Sequence, residues 1–291
     1  MSLSRQVLVR RIKGVRETGK VTHAMEMVAS ARMRRVEVRA LEARPYAARL
    51  NVLIGEVVSQ SSTLREHPLL RRELDEDPAL LLHFTPDKGL CGGLNTRLSQ
   101  SLGGFLVGRP SRAGVVTIGK KGREFALRAS LNLVAEFPGF GDAPGVADLR
   151  PLCLLAIDMF SRGEFNSVYL SYPRFEGVMA QRPVIEQLLP AQTPEVDKHS
   201  SRDYLCEPDA SEVLDALMMR YVESSVYHAY LECVASEYSA RMVAMHNATD
   251  SARELVEEMT MELNKSRQAA ITAEICDVAA GTEALAGGRR G

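Results

Sequence analysis

The chain lacks the features that mark several large classes of protein. Its 291 residues include no tryptophan, carry a net charge of only −1, and contain no apolar run near the roughly 18 residues of a membrane span. Near-neutrality argues against a dedicated nucleic-acid binder, which usually carries a basic excess. The N-terminus has no apolar block followed by small residues, so we expect neither a signal peptide nor direct membrane insertion.

Proline and glycine are absent from one long part of the chain. All 13 prolines lie between Pro45 and Pro208, and the 72 residues from Asp209 to Ala280 contain neither proline nor glycine. An unbroken helix of that length measures about 108 Å, whereas a compact chain of this size is only roughly 50 Å across. The composition therefore predicts a rod.

Metal-binding and catalytic patterns are missing as well. The five cysteines are widely spaced, the six histidines are scattered, and no CxxC, HExxH or GxSxG string occurs. We expect reduced thiols, no metal, no cofactor and no catalytic residue.

Apolar residues recur at helical spacing near the N-terminus, which predicts a long helix that reaches about Val58. Gly14 and Gly19 should each weaken it by about 1 kcal/mol unless something packs closely against them, and Pro45 should bend or restart it. The apolar positions are Leu8, Ile12, Val15, Thr22, Met25, Ala29, Met33, Val36 and Ala40.

A stronger repeat runs near the C-terminus, where steps of three and four residues give an almost wholly apolar seam. Such a seven-residue repeat predicts a left-handed coiled coil. Residues 1–45 carry 11 basic and 4 acidic side chains (net +7), and residues 209–286 carry 5 and 14 (net −9), which favours pairing of the two ends. The seam is Ala235, Tyr238, Met242, Met245, Thr249, Ala252, Val256, Met259, Leu263, Ser266, Ala270 and Ala273.

Between these helices, short apolar runs alternate with helical patterns, which predicts an α/β domain with a largely parallel sheet. The predicted strands are Ala79–Phe84, Val115–Ile118, Leu131–Ala135 and Val168–Tyr172, with an edge strand in Val178–Leu189. The predicted helices are Leu94–Leu106, Lys120–Ala129 and Val146–Phe160.

The string DKGLCGGLN (Asp87–Asn95) follows the first of these strands and opens a helix. Glycines at a helix N-terminus can bind phosphate through backbone N–H groups. The string matches neither GxxxxGK[ST] nor GxGxxG, so a structural tight turn is favoured over a nucleotide site.

Several longer strings resemble one known family, the γ subunit of F-type ATP synthases. Arg11–Val15 and AMEMVASARMRR (Ala24–Arg35) resemble its N-terminal helix, and DKGLCGGLN resembles its central signature. ARMVAMHNATDSA (Ala240–Ala252) and NKSRQAAITAEI (Asn264–Ile275) resemble its C-terminal helix.

The resemblance implies a rotor shaft that is not itself an enzyme. In that family the terminal helices form an antiparallel coiled coil inside a ring of α and β subunits. A central Rossmann-like α/β domain lies against the ε subunit and the c-ring. One copy per complex couples ion flow through the c-ring to ATP synthesis or hydrolysis in the β subunits. Because the N-terminus shows no transit peptide, we expect a bacterial-type protein bound peripherally to the cytoplasmic face of the cell membrane.

The resemblance also implies contacts with β subunits. Arg267 and Gln268 are expected to grip a β-subunit loop, and a tip around Ile271, Ile275 and Val278 is expected to form a smooth bearing surface. The basic cluster (Arg32, Arg34 and Arg35) is expected to meet acidic segments of β, and a solvated face is an equal alternative. The other expected contacts are Thr272, Glu274, Arg241, Met25, Arg32, Arg34 and Arg35, and the signature loop comprises Asp87, Lys88, Gly89, Gly92, Gly93 and Asn95.

The sequence thus predicts an α/β protein with long helices in three parts: a coiled-coil helix at 1–60, an α/β domain at 75–195 and a coiled-coil helix at 208–286. The alternatives are a non-motor coiled-coil scaffold with an α/β adaptor domain, and a nucleotide-dependent enzyme that uses the glycine loop. Gly19 and Pro86 depart from the family pattern, which predicts a more flexible helix and an altered turn. The other departures are His23, Leu263 and Ser266.

Overall fold

The computed structural model divides into two compact units, Met1–Met27 with Ala244–Gly291, and Val28–Val243. The first and last helices, α1 (Arg5–Gln60) and α5 (Ala210–Gly287), contribute residues to both. The structure describes residues 5–60, 63–70, 78–107, 113–142, 144–192 and 206–287.

Helix α1 is continuous through Pro45, so of the two predicted outcomes the restart is wrong and the bend stays a prediction. Proline removes one backbone hydrogen bond from a helix. Buried side chains on both sides of Pro45, including Val36, Leu50 and Ile54, hold the helix against the rest of the second unit. Packing therefore outweighs the lost hydrogen bond.

In the first unit, α1 and α5 pair in antiparallel orientation. The paired residue numbers rise along α1 while they fall along α5, which confirms the expected direction. The contacts are Gly19 with Ala252, Thr22 Oγ1 with Thr249 Oγ1 at 2.8 Å, and Glu26 Oε1 with His246 Nδ1 at 3.0 Å. Every position of the predicted seam from Ala235 to Ser266 is buried or half-buried. The predicted apolar face of α5 is therefore confirmed over that range, of which Ala235, Tyr238 and Met242 pack in the core of the second unit, and the left-handed supercoil stays a prediction.

The two glycines of α1 have different surroundings. A Cβ atom added at Gly19 would lie 3.3 Å from the Cβ of Ala252, whereas one added at Gly14 would meet nothing within 4 Å. Gly19 is therefore a point of close helix approach. It also lines a groove of about 340 Å³ with Val15, Ala252 and Val256 among its walls.

This difference predicts opposite responses to the same substitution. We expect Gly14→Ala to raise the free energy of unfolding by about 0.4–1 kcal/mol, because alanine lowers the entropy of the unfolded chain at no steric cost. Gly19→Ala should give no gain, because its methyl group presses on Ala252. Chemical denaturation followed by far-UV circular dichroism measures both. Equal stabilisation by both substitutions would contradict the close approach at Gly19.

The second unit contains a five-stranded sheet with the order β3-β2-β1-β4-β5. The first four strands are parallel and β5 lies at one edge beside β4, which confirms the predicted largely parallel sheet and its edge strand. The antiparallel direction of β5 was not predicted. The third strand begins two residues later than predicted, and β4 is longer because it continues into the hairpin with β5. The strands are β1 (Ala79–Phe84), β2 (Ala113–Ile118), β3 (Leu133–Phe137), β4 (Ser167–Gly177) and β5 (Ala180–Leu189).

Helices cover both faces of this sheet. Leu80, Leu82 and Phe84 of β1 point into a core shared with α4 (Val146–Ser161) and with the second-unit parts of α1 and α5. Leu81 points the other way, into a cluster with α2 (Leu94–Val107). Burial on both faces explains why five of the six residues of β1 are apolar. The connecting helices are α2 (Leu94–Val107), α3 (Lys120–Arg128) and α4 (Val146–Ser161).

One residue of β1 is an exception to its apolar character. His83 is fully buried, and its Nδ1 lies 2.9 Å from Ser171 Oγ, while its Nε2 has no partner among the described residues. Burial lowers the pKa of His83 from 6.5 to about 4. The imidazole is therefore neutral in the folded protein at neutral pH.

A depressed histidine pKa makes stability depend on pH in a defined window. Below pH 6.5 the imidazole of His83 binds a proton in the unfolded chain, whereas in the folded chain it stays neutral until about pH 4. Stability should therefore be complete above pH 6.5 and fall by up to about 3 kcal/mol as the pH drops to 4. In His83→Gln this pH-dependent loss should be absent. Urea titrations at several pH values test the difference, and parallel pH profiles would refute it.

Candidate functional site

The glycine-rich loop between β1 and α2 is fixed to the start of α3. The backbone N–H of Lys120 donates to Asp87 Oδ1 at 3.0 Å, and that of Lys121 donates to the carbonyl of Pro86 at 3.2 Å. Pro86 has no backbone N–H that needs a partner, and its carbonyl accepts the hydrogen bond from Lys121. Pro86 is thus accommodated by the turn it was expected to disturb.

The middle of this loop turns sharply. Leu90 and Gly92 have φ values of 63° and 58°, in the left-handed region that favours glycine. Asn95 Nδ2 donates to Cys91 Sγ at 3.3 Å, which fastens the loop to the first turn of α2. Lys88, Gly92 and Gly93 are exposed.

The same loop packs directly against α5. Cys91, Leu94 and Leu98 form an apolar cluster with Ala240 of that helix. Next to it, Arg241 Nη1 donates to the carbonyl of Gly89 at 2.8 Å. The loop is therefore held to α5 by apolar packing and by one hydrogen bond from a cation.

Arg241 differs from the other expected β-subunit contacts because it is only 7% exposed. Its Nη2 donates to Glu237 Oε1 at 2.5 Å. Burial raises the pKa of Glu237, and the hydrogen bond and charge of Arg241 oppose that rise. The structure therefore gives Arg241 a role inside the chain, and its direct contact with another subunit stays a prediction.

A second loop, after β3, also contacts α5. Tyr230 donates its hydroxyl to the carbonyl of Gly141 at 2.7 Å, and Tyr238 donates to a carboxylate oxygen of Asp142. Gly141 has φ +80°, a backbone conformation that residues with a Cβ atom rarely adopt. These two tyrosines tie the loop, with its glycine-dependent turn, to α5.

Both loops lie at the carboxyl ends of the parallel strands, at the edge where α/β proteins commonly bind ligands. Here the chain's own helix α5 occupies that edge with Tyr230, Tyr238 and Arg241. The arrangement supports the structural turn over the nucleotide site. Among the residues that the structure describes, no cluster of histidine, cysteine or acidic side chains has metal-binding geometry.

The described end of α5 is different in character from the paired part. From Arg267 to Gly281 every side chain with a described position is exposed, including Ile271 at 44%, Ile275 at 63% and Val278 at 67%. Arg267, Gln268, Thr272 and Glu274 all lie on this segment, which we call the exposed end. Within it, Thr272 Oγ1 donates back to the carbonyl of Gln268 at 2.9 Å.

The basic cluster of α1 is split by its contacts. Arg34 and Arg35 are exposed, whereas Arg32 Nη1 donates to Asp142 Oδ2 at 2.8 Å. Met25, also expected to contact a β subunit, is half-buried in the first unit. A solvated face describes Arg34 and Arg35 in the isolated chain, but Arg32 has an intramolecular partner.

Sequence reasoning missed the residues that join α5 to the α/β domain. Glu232 accepts from the backbone N–H of Phe175 at 2.6 Å, and Ser236 donates to the carbonyl of Pro173 at 2.9 Å. Isolated polar residues in an apolar helix repeat were the available signal. Their partners on β4 could not be read from spacing, because the two residues of each pair are 57 and 63 positions apart.

No helix among the described residues is both long and apolar enough to cross a bilayer. Several known proteins are similar to the chain. A family described as ATP synthase matches residues 4–285.

The chain is 41% identical over 283 residues to an ATP synthase gamma chain of Dehalococcoides mccartyi, covering 97% of this chain and 99% of that relative. It is 42% identical to one of Herpetosiphon aurantiacus over 285 residues, covering 95% and 97%. With one of Chloroflexus aurantiacus it shares 39% over 290 residues, covering 98% and 99%.

Solved structures show the same fold. A chain of the Euglena gracilis mitochondrial ATP synthase, in an assembly of OSCP, F1 and c-ring, matches with a TM-score of 0.69 and 19% identity, covering 99% of this chain and 96% of that one. A chain of the Tetrahymena thermophila mitochondrial ATP synthase central stalk and c-ring matches with a TM-score of 0.62 and 24% identity, covering 78% and 99%.

Proposed function

This chain belongs to the ATP synthase gamma chain family, and we propose that it works as the central rotor stalk of an F-type ATP synthase. It is a non-catalytic subunit. As a stalk it couples rotation of the c-ring, driven by ion flow, to the conformational cycle of the catalytic β subunits, in one copy per complex. Its family membership supports a place on the cytoplasmic face of a bacterial membrane, held there through its partners.

The exposed end of α5 is the observation that carries this proposal. Fifteen residues, 267–281, form a helix that keeps Ile271, Ile275 and Val278 in water. An apolar surface that is exposed on a regular helix marks an interaction site. Ile271, Ile275 and Val278 are spaced to share one face of the helix, and such an exposed apolar face suits a shaft end that turns inside a ring of α and β subunits.

A stalk must also receive torque from its foot. We assign the foot to the α/β domain, residues 75–195, which is expected to contact the ε subunit and the c-ring. The buried bonds of Glu232 to β4 and of Arg241 to the Gly89 carbonyl support this assignment, since they join α5 to two parts of the domain. The shaft consists of residues 1–60 and 208–286.

Contacts with β subunits are assigned to the exposed polar groups of the shaft. Arg267 and Gln268 grip a β-subunit loop, with Thr272 and Glu274 beside them. Exposure of all four side chains supports this assignment. Arg34 and Arg35 suit acidic segments of the β subunits, because both guanidinium groups face solvent.

Reconstitution tests the proposal directly. The purified chain is mixed with α and β subunits of the same organism, and ATPase activity is measured with and without it. We expect a stable complex with one copy of the chain and a higher ATPase rate than that of α and β subunits alone. The chain alone should show no ATPase activity. A self-sufficient oligomer that ignores α and β subunits would instead support the non-motor scaffold.

A further inference from the structure

Asp142 is the one residue of the loop after β3 whose carboxylate reaches both long helices of the second unit. Its Oδ2 accepts from Arg32 Nη1 of α1 at 2.8 Å, and its Oδ1 accepts from the hydroxyl of Tyr238 of α5. A carboxylate has two acceptor oxygens, and here each is used by a different helix.

The two helix residues also contact each other. Arg32 Nη1 lies 3.1 Å from the Tyr238 hydroxyl, and the guanidinium carbon lies 5.8 Å from the centre of the Tyr238 ring. Both distances are within the range of a hydrogen bond and a cation–π contact. The three side chains therefore form a closed triangle in which each member contacts the other two.

The triangle is partly shielded from water. Tyr238 is 8% exposed, whereas the side chains of Arg32 and Asp142 are 48% and 40% exposed. Burial raises the pKa of Tyr238 to about 12, so its hydroxyl remains a donor throughout the physiological range. The bond between Tyr238 and Asp142 should outweigh the more exposed ion pair, since solvent screens the latter more.

The loop that presents Asp142 is itself fixed. Gly141, the preceding residue, has φ +80° and accepts through its carbonyl from Tyr230 of α5 at 2.7 Å. Tyr230 and Tyr238 are two turns apart on the same helix and bond adjacent residues of the loop. Asp142 is therefore presented on a loop with two attachments to α5.

We propose that Asp142 is a torque-transmitting residue that locks α1 and α5 to the α/β domain at one point. Rotation of the domain then turns both helices together, and neither helix can slip relative to the other at this level. This role rests on the proposed stalk function and adds a residue that positions the shaft. Arg32 acts inside the chain here, which separates it from Arg34 and Arg35.

The test measures coupling separately from assembly. Complexes with Asp142→Asn are placed in inverted membrane vesicles, where ATP hydrolysis and ATP-driven ion pumping are measured together. We expect hydrolysis to stay within about twofold of the unsubstituted complex, while ions pumped per ATP fall by roughly threefold or more. Asp158→Asn is the matched control, because Asp158 of α4 forms an exposed ion pair with Arg162, which follows the end of that helix. It should leave the ratio unchanged.

Two further variants keep the test decisive. Tyr238→Phe removes only the phenolic oxygen, and it carries the test if Asp142→Asn prevents assembly. The exchange of Arg32→Asp with Asp142→Arg should recover at least part of the coupling lost by either change alone. If the number of ions pumped per ATP is unchanged in both Asp142→Asn and Tyr238→Phe, the proposed torque-transmitting role of Asp142 is wrong. Failure of the unsubstituted chain to couple hydrolysis to pumping would instead overturn the stalk function.

Discussion

Arg241→Met is expected to lower the free energy of unfolding by about 3 kcal/mol, because the largely buried carboxylate of Glu237 loses its counter-ion. The substitution leaves Glu237 and the carbonyl of Gly89 without the guanidinium that now bonds to both. The methionine side chain keeps most of the apolar volume, so the lost polar contacts dominate the effect. Urea denaturation followed by near-UV circular dichroism of tyrosine measures it, since the chain has no tryptophan.

Arg253→Met is the control for this prediction. Arg253 lies on the same helix, but its side chain is 67% exposed, so its loss should cost no more than about 0.5 kcal/mol. The pH dependence provides a second check. Without Arg241 the pKa of Glu237 rises further, so the variant should recover stability relative to the unsubstituted chain as the pH falls toward 5. Equal costs for the two arginines would contradict the buried role of Arg241.

Arg267→Ala should lower the ATPase rate of the assembled complex by roughly tenfold, while the complex still forms. A hydrogen bond to a charged group contributes about 1.5–3 kcal/mol, and about 1.4 kcal/mol corresponds to a factor of ten in rate. Arg267 is exposed in the isolated chain, so its loss removes no intramolecular packing. ATPase assays on purified complexes measure the effect.

Lys265→Ala is the matched control, because Lys265 is an exposed cation two residues earlier on the same helix. Positions two apart on a helix face different directions, so a grip at Arg267 should not involve Lys265. We expect the control to keep the full rate. If the ATPase rate is unchanged in Arg267→Ala, Arg267 does not grip a β subunit. If that variant alone fails to assemble, the role of Arg267 is structural.

The periodic parts of this structure were accessible from sequence. The seam from Ala235 to Ser266 and the apolar strand Ala79–Phe84 follow from local repeats that require no knowledge of the partner. The repeat continues to Ala270 and Ala273, yet both are exposed. A heptad pattern specifies which face of a helix is apolar, and it carries no information on whether another helix covers that face.

The two glycines of α1 also show that the sequence does not reveal which neighbour approaches a residue. Composition predicted that Gly14 and Gly19 both weaken the helix, and the second was expected to add flexibility. Only the pairing with α5 distinguishes them, since Ala252 closes on Gly19 while the space around Gly14 is open. The effect of a glycine depends on the neighbour that approaches it.

By itself the sequence determined the order and type of the helices and strands, the opposite charges of the two ends, and the motifs that identify the family. It did not determine the bounds of β3 and β4 or the continuity of α1 through Pro45. The tertiary structure alone decided that Arg241 faces inward to the Gly89 carbonyl and that Asp142 meets Arg32 and Tyr238. These partners lie between 96 and 152 residues apart along the chain. A periodic pattern in the sequence relates only residues that are one or two helical turns apart. The contacts of Arg241 and Asp142 form only when the sheet and both helices pack together.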